Sequence, residues 1–110
     1  MIKKSKVKNF KNLMQWENEM LYRILTESGV IPETKMNNLI QHWFDSYTSY
    51  VAIGYWNGIR EGSLVVEIAT DNECSIMALA DAIRRASFQQ CVMVQKIECV
   101  ITMVKEKTNA

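Results

Sequence analysis

The 110-residue chain is poor in the residue clusters from which catalytic and metal sites are built. It has one histidine, His42, and three cysteines, Cys74, Cys91 and Cys99, with no C-x-x-C pair. Their spacing matches no zinc-binding pattern, so neither a metal site nor a metal cofactor is expected. The odd cysteine count fits a reducing compartment. Cys91 and Cys99 sit in apolar stretches and read as small buried hydrophobes. There is no apolar run long enough to span a bilayer, and no apolar core follows the basic start as a signal peptide would require. The expectation is a cytoplasmic protein with no membrane partner. No phosphate-binding loop is present: Gly54, Gly58 and Gly62 are accounted for by a turn and its strands. Internal repeats and low-complexity segments are absent as well.

What remains is an ordinary globular composition, 48% apolar and 23% charged, at a length that supports one domain with its own core. The net charge of +1 hides an asymmetry. Lys3, Lys4, Lys6, Lys8 and Lys11 carry positive charge in the first eleven residues, and the rest of the chain holds 8 basic and 12 acidic residues. A lysine arm over residues 1–9 can attract phosphate, or it can be a solvated terminus.

The second half is the more legible. Asn57-Gly58 can both take positive φ, as a two-residue type I′ hairpin requires. With those residues as the loop, Trp56 faces Ile59, Tyr55 faces Arg60, Val51 faces Leu64 and Tyr50 faces Val65. Alternation then sorts the hairpin into two faces. Val51, Ile53, Leu64, Val66 and Ile68 form a core face. Tyr50, Ala52, Gly54, Trp56, Ile59, Glu61, Val65 and Glu67 form a mixed face that needs cover from the first half of the chain or from another subunit. A helix follows, capped by Thr70 with Glu73, or by Asp71 or Asn72. Its apolar stripe is Ile76, Leu79, Ala80 and Ile83, with Asp81, Arg84 and Arg85 opposite. Residues 91–94 and 99–104 read as one bent strand or a hairpin.

The first half reads as helical. Phe10, Leu13, Met14, Glu17, Met20, Leu21 and Ile24 fall near one stripe, and Ser28-Gly29-Val30 makes a helix stop. A second helix starts at Pro32, with Thr34 a possible cap and a stripe of Met36, Leu39, Ile40, Trp43 and Tyr47. The expected fold is α+β: a single domain over 1–110, with a basic arm at 1–9, an antiparallel helical pair at 10–48 and a ββαβ(β) unit at 49–105.

Three readings of function follow. The hairpin tip gathers Tyr55, Trp56 and Arg60, with Tyr50 further back; aromatic and arginine side chains of this kind anchor protein interfaces. Methionine-rich apolar surface adds self-association as a homodimer. Alternatively, Arg84, Arg85, Lys3 and Lys4 hold the phosphate of a small ligand, a nucleotide or a nucleic acid. Least favoured is an enzyme in which Asp45 orients His42 beside a Cys74 nucleophile.

Gly58, Glu61 and Ser63 in the hairpin, Leu79-Ala80 in the helix and Gln90 before the next strand resemble a pattern in small phage and bacterial domains. The resemblance covers about 50 residues. The chain's size, lysine-rich start and absence of catalytic motifs also look like phage accessory proteins, which implies a protein that inhibits a host or defence protein by occupying its surface, without enzymatic activity or cofactor.

Overall fold

A computed structural model describes residues 20–104 and 106 fully, and the strand course of Lys6–Phe10 (β1) and Leu13–Glu17 (β2). The elements that follow are β3 (Met20–Glu27), α1 (Glu33–Gln41), β4 (Thr48–Trp56), β5 (Ile59–Thr70), α2 (Glu73–Ala86), β6 (Met93–Ile97) and β7 (Ile101–Val104). The fold is α+β, with two helices and a four-stranded antiparallel sheet. It begins with a strand, which overturns the expected N-terminal helical pair. Lys3 and Lys4 lie outside the described residues, while Lys6 and Lys8 belong to β1.

The four-stranded sheet runs β4-β5-β3-β6. Strands β3, β4, β5 and β6 alternate with the helices as β-α-β-β-α-β. Both β4 and β3 run antiparallel to β5, so they are parallel to each other but separated by it. By the same argument β5 and β6 are parallel and flank β3. This is the split βαβ arrangement of ferredoxin-like folds. A second sheet, β1-β2-β7, joins the two ends of the chain. The pieces expected as one bent strand or a hairpin, β6 and β7, therefore serve different sheets.

Residues 20–27 form a strand because their partners lie on both sides. Register pairs Tyr22 with Ile68 and Lys96, and Ile24 with Val66 and Val94. Tyr, Ile and Thr at alternate positions suit a pleated surface. Tyr22, Ile24 and Thr26 are buried on one face, with Leu21, Arg23 and Leu25 half-buried on the other. Apolar Leu21 and Leu25 on the half-buried face obscure the two-residue period in the sequence, so the apolar positions also fit a helical stripe.

Both helices pack on the Tyr22–Ile24 face. Met36 and Ile40 of α1 and Ile76, Leu79, Ala80 and Ile83 of α2 close over Ile24, Val66 and Ile68. Each fully buried aliphatic side chain there contributes roughly 1.5–3 kcal/mol. No side chain caps α1 at Pro32, whereas Asn72 caps α2 by accepting from the Ser75 amide at 3.1 Å. Thr70 serves this turn by accepting from the Asn72 amide at 3.1 Å. Helical cover of the mixed hairpin face is thus overturned: the helices take the opposite face, and on this helix-free, open face Tyr50, Trp56 and Ile59 are exposed while Ser63 and Val65 are buried. No helix among the described residues is long and apolar enough to cross a membrane.

Candidate functional site

The β4–β5 hairpin has the expected turn and register. Asn57 and Gly58 have φ of 52° and 78°, and Trp56 pairs with Ile59, Tyr55 with Arg60 and Tyr50 with Val65. The tip does not form one cluster, however. Tyr55 and Arg60 point to the helix-side face, and Trp56 with Ile59 points to the open face. Val51 and Ile53, expected in the core, are 69% and 60% exposed. Their face is the correct one, but β4 is an edge strand and the helices stop short of it. The inner strand carries the core instead, through Val66 and Ile68.

On the open face, β4 meets a polar network that residues 20–27 supply. Arg23 Nε donates to Glu67 at 2.9 Å, and Nη2 lies 2.8 Å from the same carboxylate. Arg23 Nη1 donates to Gln95 at 3.4 Å, and the Tyr50 hydroxyl donates to Glu67 at 3.2 Å. The Glu67 hydrogen bond raises the Arg23 pKa further. Tyr50 is therefore an oriented side chain, and it is 43% exposed. Closer to the tip, the Trp56 indole crosses Gly54. A Cβ there would lie 2.8 Å from Trp56 Nε1 and 2.5 Å from Ser63 Oγ. The Ser63 hydroxyl is buried without a hydrogen-bond partner among the described residues.

A groove of about 520 Å³ runs beside the tip, between the hairpin and the connection from α2 to β6. Trp56, Asn57 and Glu61 line one side, Leu25 and Glu27 the floor, and residues 87–93 the other side. Among the described residues, no lysine or arginine lines it. The far wall is anchored by Gln89, whose amide donates to Thr26 Oγ1 at 2.7 Å. Phe88 stands on that wall with φ of 55° and 94% exposure. It occupies the left-handed position after α2, where its amide reaches the Arg85 carbonyl at 3.3 Å and the Gln89 amide reaches Arg84 at 3.0 Å. Glycine is usual in this closing motif, and a bulky residue there costs about 1–2 kcal/mol.

Of the proposed phosphate ligands, Arg84 and Arg85 lie among the described residues. Arg84 and Arg85 both hold Asp81, at 2.8 and 3.1 Å, which lowers the Asp81 pKa chiefly through the Arg84 hydrogen bond. Lys96 is held 3.1 Å from Glu73, which also accepts from the Tyr22 hydroxyl at 3.0 Å. Lys96 and then Tyr22 keep the Glu73 carboxyl below its ordinary range; burial, then Glu73, raises the Tyr22 phenol.

The residues of the enzymatic reading come from different elements, His42 from the end of α1 and Cys74 from the start of α2. His42 closes α1, is exposed, and sets its ring edge-on to Trp43 with centroids 4.6 Å apart. Cys74 is exposed in the first turn of α2. Cys91 and Cys99, expected to be buried, are exposed too. Both precede a strand rather than occupy one, in the α2–β6 and β6–β7 connections. Among the described residues, no three histidine, cysteine or carboxylate side chains group as metal ligands would.

Sequence reasoning missed Arg23, Glu27 and Phe88. The first two were hidden by the helical reading of residues 20–27. Phe88 carried no signal, because the glycine that usually marks such a helix end is absent. No protein-family model matches the chain, and no curated protein matches it.

Proposed function

We infer that the chain is a non-enzymatic, cytoplasmic interaction protein that occupies a surface of a protein partner with its hairpin tip and the adjoining groove. One observation carries this reading. Trp56, Ile59 and Phe88 expose large apolar surface around a groove that also bears the Glu27 and Glu61 carboxylates. Phe88 adds nothing to the core and sits in a costly backbone conformation. Backbone strain of this kind concentrates at functional sites.

The groove chemistry favours a partner that presents lysine or arginine beside apolar side chains. A cation there would meet aromatic rings and carboxylates together. Arg60 and Tyr55 on the opposite face extend the contact around the tip. The resemblance to phage accessory proteins makes a host or defence protein the partner class, with inhibition by occupancy as the mechanism.

Capture of the partner from cells of the native host tests this, with washes at about 0.15 and 0.5 M salt. An interface anchored by apolar side chains retains its protein through the higher salt. Loss at high salt together with release by nuclease would replace this reading with phosphate-backbone binding.

A further inference from the structure

The loop of the β4–β5 hairpin is the one place in the chain where asparagine precedes glycine. Asn57 and Gly58 are both exposed, and both take positive φ. In a two-residue loop the flanking pair, here Trp56 and Ile59, exchanges the closing hydrogen bonds, which leaves the Gly58 nitrogen outside the ladder. Among the described residues, neither that amide nor the Asn57 side chain has a hydrogen-bond partner. Gly58 carries no Cβ to shield its nitrogen, and a Cβ there would meet nothing within 4 Å. A side-chain amide and a backbone nitrogen able to attack it thus stand side by side in open space.

We propose that Asn57 is a site of spontaneous deamidation in the folded protein. The Gly58 nitrogen gives up its proton to water and attacks Cγ of Asn57. The new C–N bond closes a succinimide ring, and the side-chain nitrogen leaves as ammonia. Water then opens the ring at either carbonyl. One opening gives aspartate. The other gives isoaspartate, with the main chain routed through Cβ and Cγ. Nothing is oxidised or reduced, and water is the co-reactant.

Ring closure needs rotation about the bond from Cα to the carbonyl carbon of Asn57, which the closed turn resists. The tip can open locally to allow it. β3 ends opposite Ser63, so β4 and β5 alone form the tip, and Trp56 and Ile59 are its last pair. Ends of this kind fray while the rest of a sheet stays folded. The other described asparagines lack this setting. Asn37 and Asn38 lie inside α1, and Asn37 accepts from the Tyr47 hydroxyl. Asn72 is engaged with the Ser75 amide and precedes Glu73. Either product adds a carboxylate to the groove that Asn57 lines with Glu27 and Glu61. The isoaspartyl form also lengthens the loop, and loop length sets the pairing of Trp56 with Ile59. The inference stands apart from the partner reading, because the chemistry needs only the turn.

Incubation of the folded chain at mildly alkaline pH, followed by peptide mapping, tests this. Asn57 should convert at least about tenfold faster than Asn37, Asn38 or Asn72, with isoaspartate among the products. A smaller difference overturns the site, and aspartate alone overturns the ring route. Repeating the incubation in about 1 M urea, below the unfolding midpoint, separates the folded tip from the unfolded chain. That addition raises the unfolded population roughly thirtyfold for a domain of this size. Conversion from the folded tip changes by less than about threefold, and a larger acceleration overturns it.

Discussion

Replacing Ile24 with alanine separates a strand from a helix over residues 20–27. Ile24 is fully buried, with β5 on one side and β6 on the other and the helices above it. Strands fixed on both sides leave little room for collapse into the cavity. The cost should therefore fall in the upper half of the usual range for such a truncation, about 3–5 kcal/mol. Leu25 points to the open face and is half-buried, so Leu25→Ala should cost about 1 kcal/mol. Urea unfolding at a single protein concentration measures both. With a slope near 2 kcal/mol per molar, the Ile24→Ala midpoint should fall by roughly 1.5–2.5 M and the Leu25→Ala midpoint by about 0.5 M. Holding the concentration fixed removes any contribution from self-association. If Leu25→Ala destabilises as much as Ile24→Ala, the alternation of burial along β3 is wrong, and with it the placement of Arg23 and Glu27 on the open face.

Three further outcomes are expected. Gly58→Val should cost about 1–2 kcal/mol, because φ at that position is +78°, while Asn57→Gly should be near neutral; equal melting of the Gly58→Val variant and the parent would refute the turn. Gly54→Ala should push the Trp56 indole off the sheet, shifting its emission to the red in a chain with Trp16 and Trp43 changed to phenylalanine; unchanged emission would show that the indole does not rest there. Glu73 has a lowered pKa, so its contribution to stability is complete above its ordinary value of 4.5 and is lost as pH falls through the lower folded value. Glu73→Gln should accordingly flatten the acid limb of the pH–stability curve, and an unaltered limb would remove the Lys96–Glu73 contact from the account.

The hairpin and α2 were legible because local chemistry decides them. Asn57-Gly58 sets the turn type, the turn sets the register, and Ile76, Leu79, Ala80 and Ile83 repeat at helical spacing above the Asn72 cap. The helix that starts after Pro32 was legible for the same reason, with Met36 and Ile40 inward. Residues 20–27 were not, because apolar Leu21 and Leu25 on the half-buried face mask the period of two set by Tyr22, Ile24 and Thr26. For Val51 and Ile53 the face could be read but not the exposure, which depends on where the helices end over the sheet. Cys91 and Cys99 look buried beside apolar neighbours, yet they fall just outside the strands. The groove was invisible for a further reason. It is assembled from residues 25–27, 56–61 and 87–93, three separated segments with no local motif.

The most direct test of the interaction reading compares tip variants with the residues of the enzymatic alternative in the same partner-capture assay. Trp56→Ala and Arg60→Ala are each expected to weaken capture by on the order of 2 kcal/mol or more, about thirtyfold, with unchanged far-UV spectra. His42→Ala and Cys74→Ser are expected to leave it intact. Retention by both tip variants, with loss on changing His42 or Cys74, would contradict the account.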